Sequence, residues 1–109
     1  GSSVGRVTDD DLRDRRVLAE EGFISVITVV ETSLGQIVSG PEIHAKGVAE
    51  EDHVFDKIKP QIADALEQAM REGVVDHHQL QQIVRRTIGR WVGTRLRSKA
   101  MIVPVVVVV

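Results

Sequence analysis

From Phe23 to Glu31 the chain reads Phe-Ile-Ser-Val-Ile-Thr-Val-Val-Glu. β-Branched side chains dominate this run; they pack well on a pleated surface and lose rotamer freedom in a helix, so it predicts a strand. Thr32-Ser33-Leu34-Gly35 supplies turn residues, and Gln36-Ile37-Val38-Ser39 resumes an extended pattern, which makes a hairpin. Gly40-Pro41 interrupts the second strand, as at a sheet edge or a bulge, before Glu42-Ile43-His44-Ala45-Lys46 leads to Gly47. The period then changes. Val54, Ile58, Ile62, Ala65, Leu66 and Ala69 recur every three or four residues and mark one face of a helix that Gly73 closes. Pro60 falls opposite this stripe, so the helix either kinks there or restarts at the proline. Asp76 caps a second helix with an apolar arc of Leu80, Ile83, Val84, Thr87, Ile88 and Trp91. Gly89 and Gly93 weaken that helix by about 1 kcal/mol each relative to alanine. Met101-Ile102-Val103-Pro104 and five valines, Val105 to Val109, form a last strand.

The order β-β-α-α-β predicts a two-layer α+β domain over residues 22–109, a three-stranded sheet packed against two helices. Ahead of it, residues 1–21 read as a tag scar (Gly1-Ser2-Ser3) and a linker with a short helix or turn. Thr8 with Asp9, Asp10 and Asp11 would start that helix, where a hydroxyl cap and acids suit the positive end of the dipole.

The terminal strand sets the strongest demand. A strand with one face in water alternates apolar and polar residues. This one is apolar on both faces, and so nearly is the first, with Phe23, Ile27 and Val29 on one side and Ile24, Val26 and Val30 on the other. Two helices cover one face of a three-stranded sheet, so the second face has to meet another chain or another domain. We expect that interface to use Ile24, Val26 and Val30 with Val105, Val107 and Val109.

Composition narrows the chemistry. The chain has 109 residues, 42% hydrophobic and 28% charged, which suits one globular domain with little room for a deep active site. Zero cysteines exclude a disulfide scaffold, a thiolate zinc site and a cysteine nucleophile. No apolar run approaches the roughly 20 residues a membrane-spanning helix needs. The net charge of −2 is unevenly spread: residues 1–75 carry 8 Lys/Arg against 15 Asp/Glu, whereas residues 76–109 carry 6 Lys/Arg and the single acid Asp76. Arg86, Arg90 and Arg97 project together from the polar side of the second helix, and with Lys99 they are the candidate RNA contacts. Phe23, Phe55 and Trp91 occupy positions expected to be buried, and tyrosine is absent. RNA contact would therefore be electrostatic and salt-sensitive, with no aromatic platform.

No catalytic or metal-ligating constellation emerges. His77 and His78 are adjacent, about 100° apart on a helix, and do not form the i, i+4 pair that faces one metal. Asp76-His77-His78 spells the signature of a phosphoesterase family, but the further Asp and His motifs that family needs are missing, and a helix cap explains the triplet.

Specific residues nevertheless suggest a relationship. Asp14-Arg15-Arg16, Leu18 and Glu21-Gly22 leading into a valine-rich strand resemble the start of the C-terminal domain of bacterial ribonuclease J. Gly40-Pro41-Glu42-Ile43 with Gly47 is similar to it too, as is Met101-Ile102-Val103-Pro104-Val105 after a basic helix. The resemblance implies a larger parent, a zinc-dependent metallo-β-lactamase/β-CASP ribonuclease with 5′-to-3′ exonuclease and endonuclease activity in cytoplasmic RNA processing and decay. Its metal ligands would lie in upstream domains, so the resemblance assigns no catalytic residue and no cofactor to this chain. What it implies here is an accessory role: self-association or docking on the parent's catalytic domains in support of oligomerisation and full activity.

Overall fold

The computed structural model describes residues 22–48, 52–95 and 100–109. Within them run β1 (Phe23–Glu31), β2 (Gln36–Lys46), a 3₁₀ segment (Asp52–Lys57), α1 (Lys59–Arg71), α2 (His77–Arg95) and β3 (Met101–Val108). The arrangement is the expected two-layer α+β one, a three-stranded sheet with both helices on one side. The short helix or turn expected after Thr8 lies outside the described residues.

The sheet order is β2-β1-β3, with β2 antiparallel and β3 parallel to β1. β1 takes the central place, hydrogen-bonded to β2 along one edge and to β3 along the other. Its even-numbered residues Ile24, Val26, Thr28 and Val30 turn toward the helices and are fully buried. α1 packs over β2 and α2 over β3, so the core lies between one sheet face and the inner stripes of the helices.

Those stripes come from a helical period. α1 contributes Ile62, Leu66, Ala69 and Met70, and α2 contributes Leu80, Val84, Ile88 and Val92. The arc expected for α2 is rotated slightly: Val92 replaces Trp91 at its centre, and Ile83, Thr87 and Trp91 flank it half-buried. Pro60 restarts the chain as an α-helix after the 3₁₀ segment, in a first turn where its missing N–H costs nothing. At the other end of α1, Val74 N–H bonds to Ala69 O at 3.0 Å and Gly73 N–H to Met70 O at 3.1 Å. This left-handed closure at Gly73 (φ +94°) satisfies carbonyls that would otherwise be orphaned.

Both edge strands carry an irregularity. Between Ile27 and Val29 of β1, β2 advances from Glu42 to Ser39, and a second extra residue separates Ser39 from Ile37. Gly40 sits in this bulge at φ +89°, where a Cβ would come within 2.5 Å of the Ile27 carbonyl oxygen. On the opposite edge, Met101 N–H bonds to Gly22 O and Val109 N–H to Val30 O, so odd-numbered amides of β3 face β1 and even-numbered ones face outward. Pro104 occupies an outward position and therefore removes no ladder bond. Two residues later the outward Val106 N–H is taken by Gln81 Oε1 at 3.1 Å, reaching across from α2.

One polar atom breaks the pattern of the core. Thr28 is fully buried between Val26 and Val30, and its Oγ1 makes no hydrogen bond. A buried hydroxyl without a partner costs about 1–3 kcal/mol. Thr28→Val, which keeps the side-chain shape, should raise stability by about 1 kcal/mol and the melting temperature by several degrees. Thermal and urea unfolding followed by circular dichroism measure this; an unchanged or lowered midpoint would show that the hydroxyl is satisfied.

Candidate functional site

Among the described residues, the sheet face turned away from the helices is an apolar surface with no element packed on it. The parallel register sets Phe23 beside Met101, Ser25 beside Val103, Ile27 beside Val105 and Val29 beside Val107. Ile27, Met101, Val103, Val105 and Val107 are each 37–43% exposed, high for large aliphatic side chains. On β2 the same face is polar: Lys46 pairs with Phe23, His44 with Ser25 and Glu42 with Ile27. His44 Nε2 lies 2.9 Å from Glu42 Oε1, so this border consists of a paired, hydrated strip. An apolar field with a charged margin is the anatomy of a protein–protein contact.

This face corrects part of the sequence expectation. Ile24, Val26 and Val30 are not on it; they are fully buried against α1 and α2, with nothing left for a second chain to touch. Val105 and Val107 are on it, and Val109 is exposed beyond the end of β3. The six expected residues divide between two faces because Val26 pairs with Pro104, whereas Val105 pairs with Ile27. Phe23, Ile27, Val29, Met101 and Val103 belong with the open face and were missed. The signal for them lies in β2, whose alternation Glu42-Ile43-His44-Ala45-Lys46 puts Ile43 opposite Val26 and so identifies the core side.

The second surface is α2. Arg86 and Arg90 are exposed one helical turn apart, with Arg85 and Arg95 also exposed on the same helix. Among the described residues none of these four pairs with a carboxylate. Arg97 and Lys99 lie outside the described residues. Arg86 borders an open groove of about 490 Å³ with Val74, Gln79, Gln82 and Ile83. Arg90 borders another, of about 240 Å³, with Gln61, Thr87, Trp91, Thr94 and Arg95.

The aromatic residues depart from expectation. Phe55 is buried, but Phe23 and Trp91 are only half-buried. Trp91 leans on Phe55, ring centroids 5.6 Å apart at 52°, and borders two grooves. Being one position off the buried stripe of α2, it packs on one side and meets solvent on the other.

Among the described residues, no three His, Asp or Glu side chains gather closely enough to hold a metal ion. Asp76 does what the sequence indicates: its Oδ2 accepts a hydrogen bond from Gln79 N–H at 3.0 Å and caps α2. His77 and His78 do not diverge as expected; their rings approach to 4.1 Å at 35°, both exposed on the first turn. No described helix is long and apolar enough to cross a membrane.

Residues 11–109 match the family described as the ribonuclease J C-terminal domain. The chain belongs to that family. Among curated relatives, it is 35% identical over 107 residues to ribonuclease J of Mycobacterium tuberculosis, covering 98% of this chain and 19% of that protein. It is 32% identical over the same length to ribonuclease J of Mycolicibacterium smegmatis, again 98% and 19%. Ribonuclease J 2 of Staphylococcus saprophyticus is 27% identical over 109 residues, 97% of this chain and 20% of that protein. The chain thus spans about a fifth of the length of the curated relatives it matches. As a ribonuclease J C-terminal domain it presents two surfaces, the open sheet face and the arginine-bearing helix.

The Asp76-His77-His78 triplet in this ribonuclease J C-terminal domain acts as a helix start. Asp76→Ala should cost about 1 kcal/mol of stability, while Asp76→Asn, which keeps a capping oxygen, should cost a few tenths. Urea denaturation of the two variants distinguishes them; equal losses would mean that the carboxylate charge, and not the cap, carries the effect.

Proposed function

We propose that this domain is the non-catalytic C-terminal part of a ribonuclease J-like enzyme of RNA processing and decay, and that it supports oligomerisation and full activity of its parent. The open apolar face of β1 and β3 carries this reading. Five aliphatic side chains at 37–43% exposure form an area that water covers at a cost and that a second protein surface would relieve. The occupant is either a second copy of the domain or the catalytic domains upstream. In this reading zinc and hydrolysis belong to those catalytic domains, RNA reaches the enzyme through them, and the compartment is the cytoplasm.

Light scattering coupled to size exclusion tests it. The chain should elute above its monomer mass of 12.0 kDa, or else bind separately supplied ribonuclease J-like catalytic domains. Val103→Lys combined with Val105→Glu should abolish either association and leave the melting temperature within a few degrees, because both side chains project from the open face. A strict monomer at tens of micromolar that also ignores the catalytic domains would overturn the proposal.

A second reading, as an auxiliary RNA-binding module, is favoured by one observation: Arg86 and Arg90 stand exposed and without a described counter-ion on α2. Retention of single-stranded RNA should then weaken steeply between about 50 and 200 mM salt. Replacing both arginines with alanine should reduce the slope of log K against log salt by about 1.4, the share of two phosphate contacts on a single strand. Arg97→Ala and Lys99→Ala extend the same series. Absence of retention at about 50 mM salt excludes this reading.

A further inference from the structure

The chain has one tryptophan, and the fold places it where charge and an aromatic surface meet. Thr87, Arg90, Trp91, Thr94 and Arg95 fall on one side of the C-terminal half of α2, at successive helical spacings of three and four. Facing them across the helix pair is Gln61 from the first turn of α1, and beyond it Lys57 and Val54 from the 3₁₀ segment. Two grooves result, of about 240 and 370 Å³, and they share Gln61, Trp91 and Arg95, so the indole stands between them. The larger volume lies at the low end of the roughly 300–1,000 Å³ typical of small-molecule sites.

Three features of this trough point to one class of ligand. Its cations, Lys57, Arg90 and Arg95, pair with no described carboxylate, and among the described residues no carboxylate lines either groove. Its aromatic is half-buried and held from behind by the buried Phe55, so the ring is braced. Its amide, Gln61, offers both a donor and an acceptor beside the ring. A braced ring flanked by unpaired cations and an amide fits a nucleobase for stacking, phosphates for the cations and a base edge for the amide. Acidic peptides would satisfy the cations and leave the ring unused. Duplex nucleic acid would hide its bases from the indole.

We propose that the trough around Trp91, formed by Lys57, Gln61, Arg90 and Arg95, binds single-stranded nucleic acid by stacking a base on the indole. This rests on the electrostatic reading above and adds to it a contribution that salt does not screen, at a site centred on the opposite end of α2 from His77 and His78.

Because Trp91 is the only tryptophan, its own fluorescence reports on the trough. Titration of the full chain with a short oligoadenylate at low salt should quench that emission saturably. Tripolyphosphate, which carries charge and no base, should compete for the cations without quenching, and duplex RNA should quench little. In binding followed by anisotropy of labelled oligoadenylate, Trp91→Ala should weaken affinity about tenfold with the salt slope unchanged, and Trp91→Phe should recover most of it. Lys57→Glu with Arg95→Glu, both at exposed positions, tests the same trough should Trp91→Ala fail to fold, and is expected to abolish the quench. Binding without quenching, or equal affinities for Trp91→Ala and the unmodified chain, would overturn the stacking site and leave the electrostatic reading standing. No binding at low salt would overturn both.

Discussion

Two helices laid on a three-stranded sheet cover one of its faces and no more, and the rest of this domain is arranged around that inequality. The central strand β1 is apolar on both sides, so it feeds the core with Ile24, Val26 and Val30 and at the same time presents Ile27 and Val29 to the outside. β3 repeats the choice with Val106 inward and Val103, Val105 and Val107 outward. Solvent-facing valines in such number do not help a monomer fold; each leaves apolar area in water at about 25 cal/mol per Å². Among the described residues nothing packs on that face, and the chain covers about a fifth of the length of the ribonuclease J relatives it matches.

Much of this was legible in the residues themselves. The hairpin, both helices and the last strand follow from local period and from Gly, Pro and Asp punctuation, because those signals act within a turn or two of the chain. The choice of sheet face did not come through, although the information was there. The turn at Thr32–Gly35 sets Glu31 against Gln36, and the two extra residues of β2 restore parity, so Ile43 ends on the same face as Val26 whether or not the bulges are foreseen. Reading β1 alone hides this, since both of its faces are apolar and each carries one hydroxyl, Ser25 on one and Thr28 on the other. The parallel placement of β3 is a non-local matter that no segment encodes by itself.

Trp91 illustrates a finer limit. A helical arc drawn from hydrophobicity places it with Ile88 and Val84, yet the buried stripe runs through Val92. The difference is a rotation of one residue. It turns a core tryptophan into one that is braced on Phe55 and wet on its far side, beside Arg90, which the sequence also singles out, and Arg95. The sequence reading buried the ring, whereas burial at the margin of a stripe depends on what the neighbouring element supplies. Here that element is the short 3₁₀ segment carrying Phe55 and Lys57.

The outer edge of β3 resists the addition of a further strand. An incoming strand that tried to extend the sheet there would find no donor at Pro104 and would meet Val106 with its amide already engaged by Gln81. Lateral growth, the route by which exposed valine-rich strands polymerise into fibres, is thus obstructed at two consecutive outward positions. The open apolar face points perpendicular to that edge. An edge blunted in this way keeps a run of five valines from serving as a template for further strands.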